Sequence, residues 1–147
     1  MNYVLFRQIS VLSIFFGAVL GLMALIPYVG TIALIFLLCF IAPLVIWLLV
    51  KYNCLSLSSI QDGIIVGAIS GFVAYLAFSI VYIPISIILV KFLNYAANQG
   101  VGLMLNYASF FILLVVSIFM GVVGATINSF TGFLMFYVIE FFKTTKL

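Results

Sequence analysis

Histidine is absent from this chain of 147 residues, and its only acids are Asp62 and Glu140. Without an imidazole, neither a Ser–His couple nor a histidine-ligated metal site can be built. The two acids belong to the ends of different helices, where solvent and nearby lysines account for them. A carboxylate pair for acid–base or metal work would be expected deeper in the apolar segments. Cysteine is nearly as scarce. Cys39 falls within an apolar run and Cys54 in a polar loop, about 22 Å apart if the chain between is helical. They cannot pair within one chain and no C-x-x-C motif exists, so inert packing and a reduced loop thiol are expected. No phosphate-cradling G-x-x-x-x-G-K-[ST] run occurs. These absences predict no catalytic residue, no metal and no cofactor, and they argue against an enzyme.

Charge is thin as well. Charged residues make up 5% of the chain, and the net charge of +3 comes from five scattered basic residues. That is no basis for nucleic-acid binding. What is abundant is apolar surface: 69% of residues are hydrophobic and the mean hydropathy is +1.55. A soluble chain of this length could not bury that much, because soluble domains are roughly half apolar and a quarter charged. The composition predicts an all-α integral membrane protein forming a single transmembrane domain over 1–147. Arg7 ahead of an apolar run resembles a secretory signal, but no small-x-small pattern follows Ile26, so an uncleaved first helix is expected.

Crossing a bilayer takes about 20 apolar residues. Four segments qualify, at about 9–26, 29–50, 62–83 and 104–126, with an apolar extension to 142. They predict a four-helix bundle. Ile26-Pro-Tyr-Val-Gly30 reads as a tight turn between the first two spans, and Pro43 as a kink within the second. Lys51 to Gln61 is the most polar stretch. Asp62 follows it at a position where a helix N-terminus favours negative charge.

Past Pro84 the pattern changes. Ile85, Ile88, Leu89, Phe92 and Ala96 fall on one face and Lys91, Asn94 and Asn98 on another. An amphipathic helix at about 85–99 lying in the interface is one reading, and a long tilted third helix is the other. With four spans, Arg7, Lys51, Lys143 and Lys146 share one side and Lys91 lies opposite. The positive-inside rule then places both termini and the 51–61 loop in the cytoplasm, in a plasma or inner membrane. Seven of the eight tyrosines fall near span ends, as headgroup-seeking rings should; Tyr75 is the exception.

Small residues recur at three- and four-residue steps on three spans. The first carries Ser10, Ser13, Gly17, Gly21 and Ala24. The third carries Gly63, Gly67, Ser70, Gly71, Ala74 and Ala77, and the fourth Ser117, Gly121, Gly124 and Asn128. Each stripe lies on one face and lets another helix come close. Gly17, Gly21, Gly63, Gly67, Gly71, Gly121 and Gly124 are therefore the expected packing residues, within one bundle and also in self-association. The second span is bulky nearly all round, so it is expected to face lipid or a partner. Gly17-Ala18-x-x-Gly21-x-x-Ala24 also matches Gly67-Ala68-x-x-Gly71-x-x-Ala74, a weak hint of duplication.

One polar cluster interrupts the fourth span, Thr126-Ile-Asn128-Ser-Phe-Thr131-Gly132. Asn128 and Thr131 read as a helix break or interhelical hydrogen bond, or else as a polar patch on a solute path. The leading functional expectation is a non-enzymatic protein acting through helix–helix contacts, as a subunit of a membrane complex or a self-associating bundle. Its partners would then be the bilayer and other membrane helices. The alternative is a channel or transporter for a small or apolar solute, formed between protomers.

Overall fold

The computed structural model describes residues 3–55, 57, 59–96 and 99–145, apart from the side chains of Lys143 and Thr145. Ser56, Asn98 and Lys146, on which part of the charge and polarity reading rested, lie outside the described residues, as does the Lys143 side chain. The described residues form six helices and no strand. These are α1 (Tyr3–Met23), α2 (Val29–Cys39), α3 (Ile41–Lys51), α4 (Ile60–Leu93), α5 (Gln99–Tyr107) and α6 (Phe110–Thr145). Three helices are long and apolar enough to cross a membrane, and α2 with α3 makes a fourth if that bent pair is one span. By length and hydropathy these helices are compatible with a membrane protein.

Register fixes the helix directions. Gly17 of α1 lies against Ala74 of α4, and Gly21 against Phe78, so α1 and α4 run parallel. Gly63, Gly67 and Gly71 of α4 meet Gly132, Asn128 and Gly124 of α6 in descending order, so α6 runs antiparallel to both. Arg7, Lys51 and Asp62 consequently share one end of the molecule. A groove lined by Arg7, Gln8, Tyr52 and Cys54 joins α1 to the end of α3 there. Lys91 belongs to the other end, where the Tyr95 hydroxyl donates to Leu25 O at 3.2 Å.

Local chemistry sets most boundaries. Ser59 and Asp62 form a capping box at the start of α4: Ser59 N donates to the Asp62 carboxylate at 3.0 Å and Asp62 N to Ser59 Oγ at 3.3 Å. Two orphan amides are satisfied reciprocally. At its other end Asn94 takes a left-handed conformation (φ 49°), and Tyr95 N returns to Leu89 O. Asparagine tolerates that geometry and stops the helix. In the first turn of α2, Gly30 approaches Ala24 so closely that a Cβ would fall 2.8 Å from its carbonyl oxygen.

Three expectations need correction. The segment at 85–99 is not a separate interfacial helix; α4 runs unbroken through Pro84 to Leu93. A membrane helix tolerates the missing N–H. Beyond the proline, Val90 packs with Leu105 of α5 and Leu113 of α6, which holds the continuation in place. One lysine gave too narrow a polar face to pull it flat. Likewise the fourth span does not start at 104 or break near 128. Ala108 and Ser109 separate α5 from α6, and α6 then continues for 36 residues. Helices α4 and α6 are therefore about 51 and 54 Å long, well beyond a hydrocarbon core of about 30 Å.

The third correction concerns the second span, which does not stand outside the bundle. Ala33, Leu37, Ile41, Ala42, Val45, Ile46 and Leu49 are all buried, and most of them join one core cluster with α1 and α4 residues. Bulky side chains fill the space that the small residues of α1, α4 and α6 cannot.

Candidate functional site: a pinned break beside a cavity

Helices α2 and α3 meet at a bend of 59°. Pro43 has no N–H to return to the Cys39 carbonyl, so the helical ladder is interrupted there whatever surrounds it. One residue earlier, the Leu38 carbonyl and the Ala42 amide no longer meet directly. The Asn128 side chain of α6 stands between them. Its Oδ1 accepts from Ala42 N at 2.9 Å, and its Nδ2 donates to Leu38 O at 2.9 Å and Leu37 O at 3.2 Å. Nδ2 also lies 3.0 Å from Gly124 O on its own helix, so its two hydrogens are divided among three acceptors. Ala42 can only donate, which fixes the orientation of the amide. Asn128 is fully buried, and its polar atoms replace the missing turn of another helix.

The glycines of α4 make this reach geometrically available. A Cβ on Gly71 would fall 2.6 Å from the Asn128 Cβ and 2.6 Å from Gly124 O. One on Gly67 would meet the Asn128 carbonyl, with Ser129 Cα at 3.1 Å. Asn128 thus lies in a notch between Gly67 and Gly71 and extends past α4 toward the break. Gly63 faces Gly132 along the same line, a pairing that the spacing of the fourth-span stripe did not single out. Gly17 and Gly21 lie elsewhere, against the next turns of α4. Gly121 faces the Phe72 ring at 3.3 Å, and Gly124 has ordinary contact distances of 3.6 Å or more to Gly71 and Tyr75.

Thr131 does not join Asn128 in the break. Its hydroxyl bonds to the Asn128 backbone oxygen at 3.1 Å. Thr126 and Ser129 behave alike, donating to Val122 O and Ala125 O on their own helix. These local bonds explain why a polar cluster leaves α6 intact. The cluster does mark a break, but one in the span it packs against.

Above the break lies a cavity of about 200 Å³. Its walls come from Ala24, Ile26 and Tyr28 of the turn after α1, from Thr31 and Leu34 of α2, from α5, and from Leu113, Val116 and Ser117 of α6. Helix α4 contributes Tyr75, Phe78, Ser79 and Tyr82. Tyr75 and Ser79 are 8% and 7% exposed, yet neither side chain has a hydrogen-bond partner among the described residues. No acid, lysine or arginine lines the cavity. Tyr75 also borders the pinned break, since its ring lies 3.6 Å from where a Gly124 Cβ would be. Sequence reasoning noted Tyr75 only as the tyrosine out of place. The usable signal was its spacing with Ser79 and Tyr82, which puts three hydroxyls on one face of an intramembrane helix.

Among the described residues no three His, Cys, Asp or Glu side chains gather as metal ligands would. Comparison with protein-family models, with curated proteins and with solved structures finds no match.

Proposed function

We propose that this chain is a non-enzymatic four-span membrane protein that takes a small neutral solute into the cavity between its broken second span, α4 and α6. Both termini and the turn after Lys51 face the cytoplasm in this reading, because the shared end of Arg7 and Lys51 obeys the positive-inside rule. The cavity then opens toward the other side. One observation carries the proposal: a discontinuous span pinned by a buried amide beside a partly enclosed space. Irregular backbone at membrane depth is tolerated where it is buried in protein or lines a cavity, and solute sites of transporters are built on such breaks.

A subunit of a membrane complex or a self-associating bundle was the leading expectation, and its arguments were the glycine faces and Asn128. Asn128 and most of the glycines make their contacts within one chain, so they supply no reason for a partner. The solute path likewise needs no second protomer.

Cysteine accessibility tests the reading. In a protein lacking Cys39 and Cys54, Ser117→Cys should react with a small neutral thiol reagent added to the side opposite the termini. A cysteine at Ser13, which is buried in the α1 face, should not react. Equal inertness of both positions in the folded protein would remove the cavity as a solute site.

A further inference from the structure

The chemistry of the cavity wall narrows the solute. Apolar cavities of roughly 150 Å³ accept a benzene-sized guest. A volume of about 200 Å³ therefore holds one ring with a small substituent. Most of the lining is apolar, and it carries no formal charge, which excludes ions because their desolvation would go uncompensated. Six hydroxyl-bearing residues interrupt the apolar lining, and of these Tyr75 and Ser79 are the two that are buried. Ser79 does not bond back to its own helix, as Ser13, Ser70, Ser117 and Ser129 do; Ser10 and Ser86 also lack such a bond but do not line this cavity. Tyr75, one turn earlier on the same face, is likewise unpartnered among the described residues. Neither oxygen is sealed within protein, so both are open to the cavity they line, and a guest entering it can supply the partners that the helix does not.

Resting on the solute-binding reading above, we propose that the cavity selects neutral, ring-sized molecules bearing a hydroxyl or carbonyl, held by hydrogen bonds to Tyr75 and Ser79. The ring would lie among Phe78, Leu105, Leu113 and Val116. Discrimination against a plain hydrocarbon follows, because such a guest leaves both protein hydroxyls unpaired.

The test compares p-cresol with toluene, which differ by one hydroxyl, on the purified protein in lipid nanodiscs. Binding is read by saturation-transfer NMR and by the shift in melting temperature. Wild type should favour p-cresol by about tenfold or more, the equivalent of one good hydrogen bond. Ser79→Ala, which breaks no existing bond, should fold normally and lose most of that preference while keeping its toluene affinity. Tyr75→Phe should do the same, and Ser79→Phe should fill the space and abolish both guests. Equal binding of the two guests in wild type and Ser79→Ala would overturn the selectivity while leaving a solute site in place. Absence of both guests from wild type, or their persistence in folded Ser79→Phe, would overturn the solute site as well.

Discussion

Asn128 Oδ1 accepts a hydrogen bond from the backbone of Ala42 at 2.9 Å, across 86 residues of sequence. Replacing Asn128 with alanine strands the Ala42 amide and two α2 carbonyls where water is scarce. Stability in detergent should fall by on the order of 2 kcal/mol. The loss should not depend on protein concentration, because every partner of the side chain belongs to the same chain. A loss that vanishes at high concentration would mean that Asn128 acts between molecules.

Pro43 and Asn128 should be energetically coupled. Pro43→Ala restores the N–H that the ladder lacks, so the second span can close its own bonds and depends less on α6. Asn128→Ala should then be milder in the Pro43→Ala background than in wild type, by about 0.5–3 kcal/mol of interaction energy. A double-mutant cycle on unfolding free energies measures this. Strict additivity would show that the break is held by packing alone.

Glycines on the same stripes should respond differently to one methyl group. Gly17→Ala and Gly67→Ala place a Cβ on a neighbouring backbone. Rigid helices must separate to admit it, a loss of about 1–3 kcal/mol. At Gly124 the nearest atom is 3.6 Å away. Gly124→Ala should be neutral or raise stability by up to about 1 kcal/mol through helix propensity. Thermal melts of the three variants in one detergent distinguish them.

Ala33→Leu is the matching probe of the second span. Ala33 is 2% exposed, so a larger side chain overpacks the core and should lower stability by about 1–3 kcal/mol. An unchanged melt would return the second span to the lipid-facing role its composition suggested.

Orientation has a direct chemical readout. Cys54 is exposed at the end shared with Arg7 and Lys51. A membrane-impermeant maleimide should label it in inverted vesicles but not in intact cells. Asn94→Cys, at the opposite end, should show the reverse in a Cys39- and Cys54-free protein. Labelling of both positions from one side would dismiss the four-span topology.

The all-helical class, with helices apolar and long enough to cross a membrane, was readable from composition because hydropathy is a sum over many residues, and no single one decides it. The Asp62 position was readable because capping is local. The glycine spacing of 63, 67 and 71 was visible too, since a four-residue step needs no tertiary knowledge. What could not be read was which face meets which. Pro43 was legible as a kink and Asn128 as a polar anomaly, yet nothing local to either showed that one completes the other. The helix at Pro84 failed for a similar reason: propensity argued for a boundary, and packing of Val90 against Leu105 overrode it. Tyr75 stood out only by its place along the span, and Ser79 only as one apolar-run serine among several, because an unpaired hydroxyl is a property of surroundings.

The pinned break also carries a timetable. Translation proceeds at about 5–20 residues per second, so Asn128 follows Ala42 out of the ribosome by roughly 4 to 17 s. If α2 and α3 form one span, as in the four-span reading, that span reaches the bilayer during this interval with part of its backbone bonding incomplete. It must wait in the insertion machinery, hold water at the break, or adopt a temporary straighter form. Chains truncated before Asn128 should therefore be preferred targets of membrane quality control, whereas truncation after Glu140 leaves the amide in place. A contact that looks like a static repair in the finished bundle is, during biogenesis, the last-arriving part that licenses an early one.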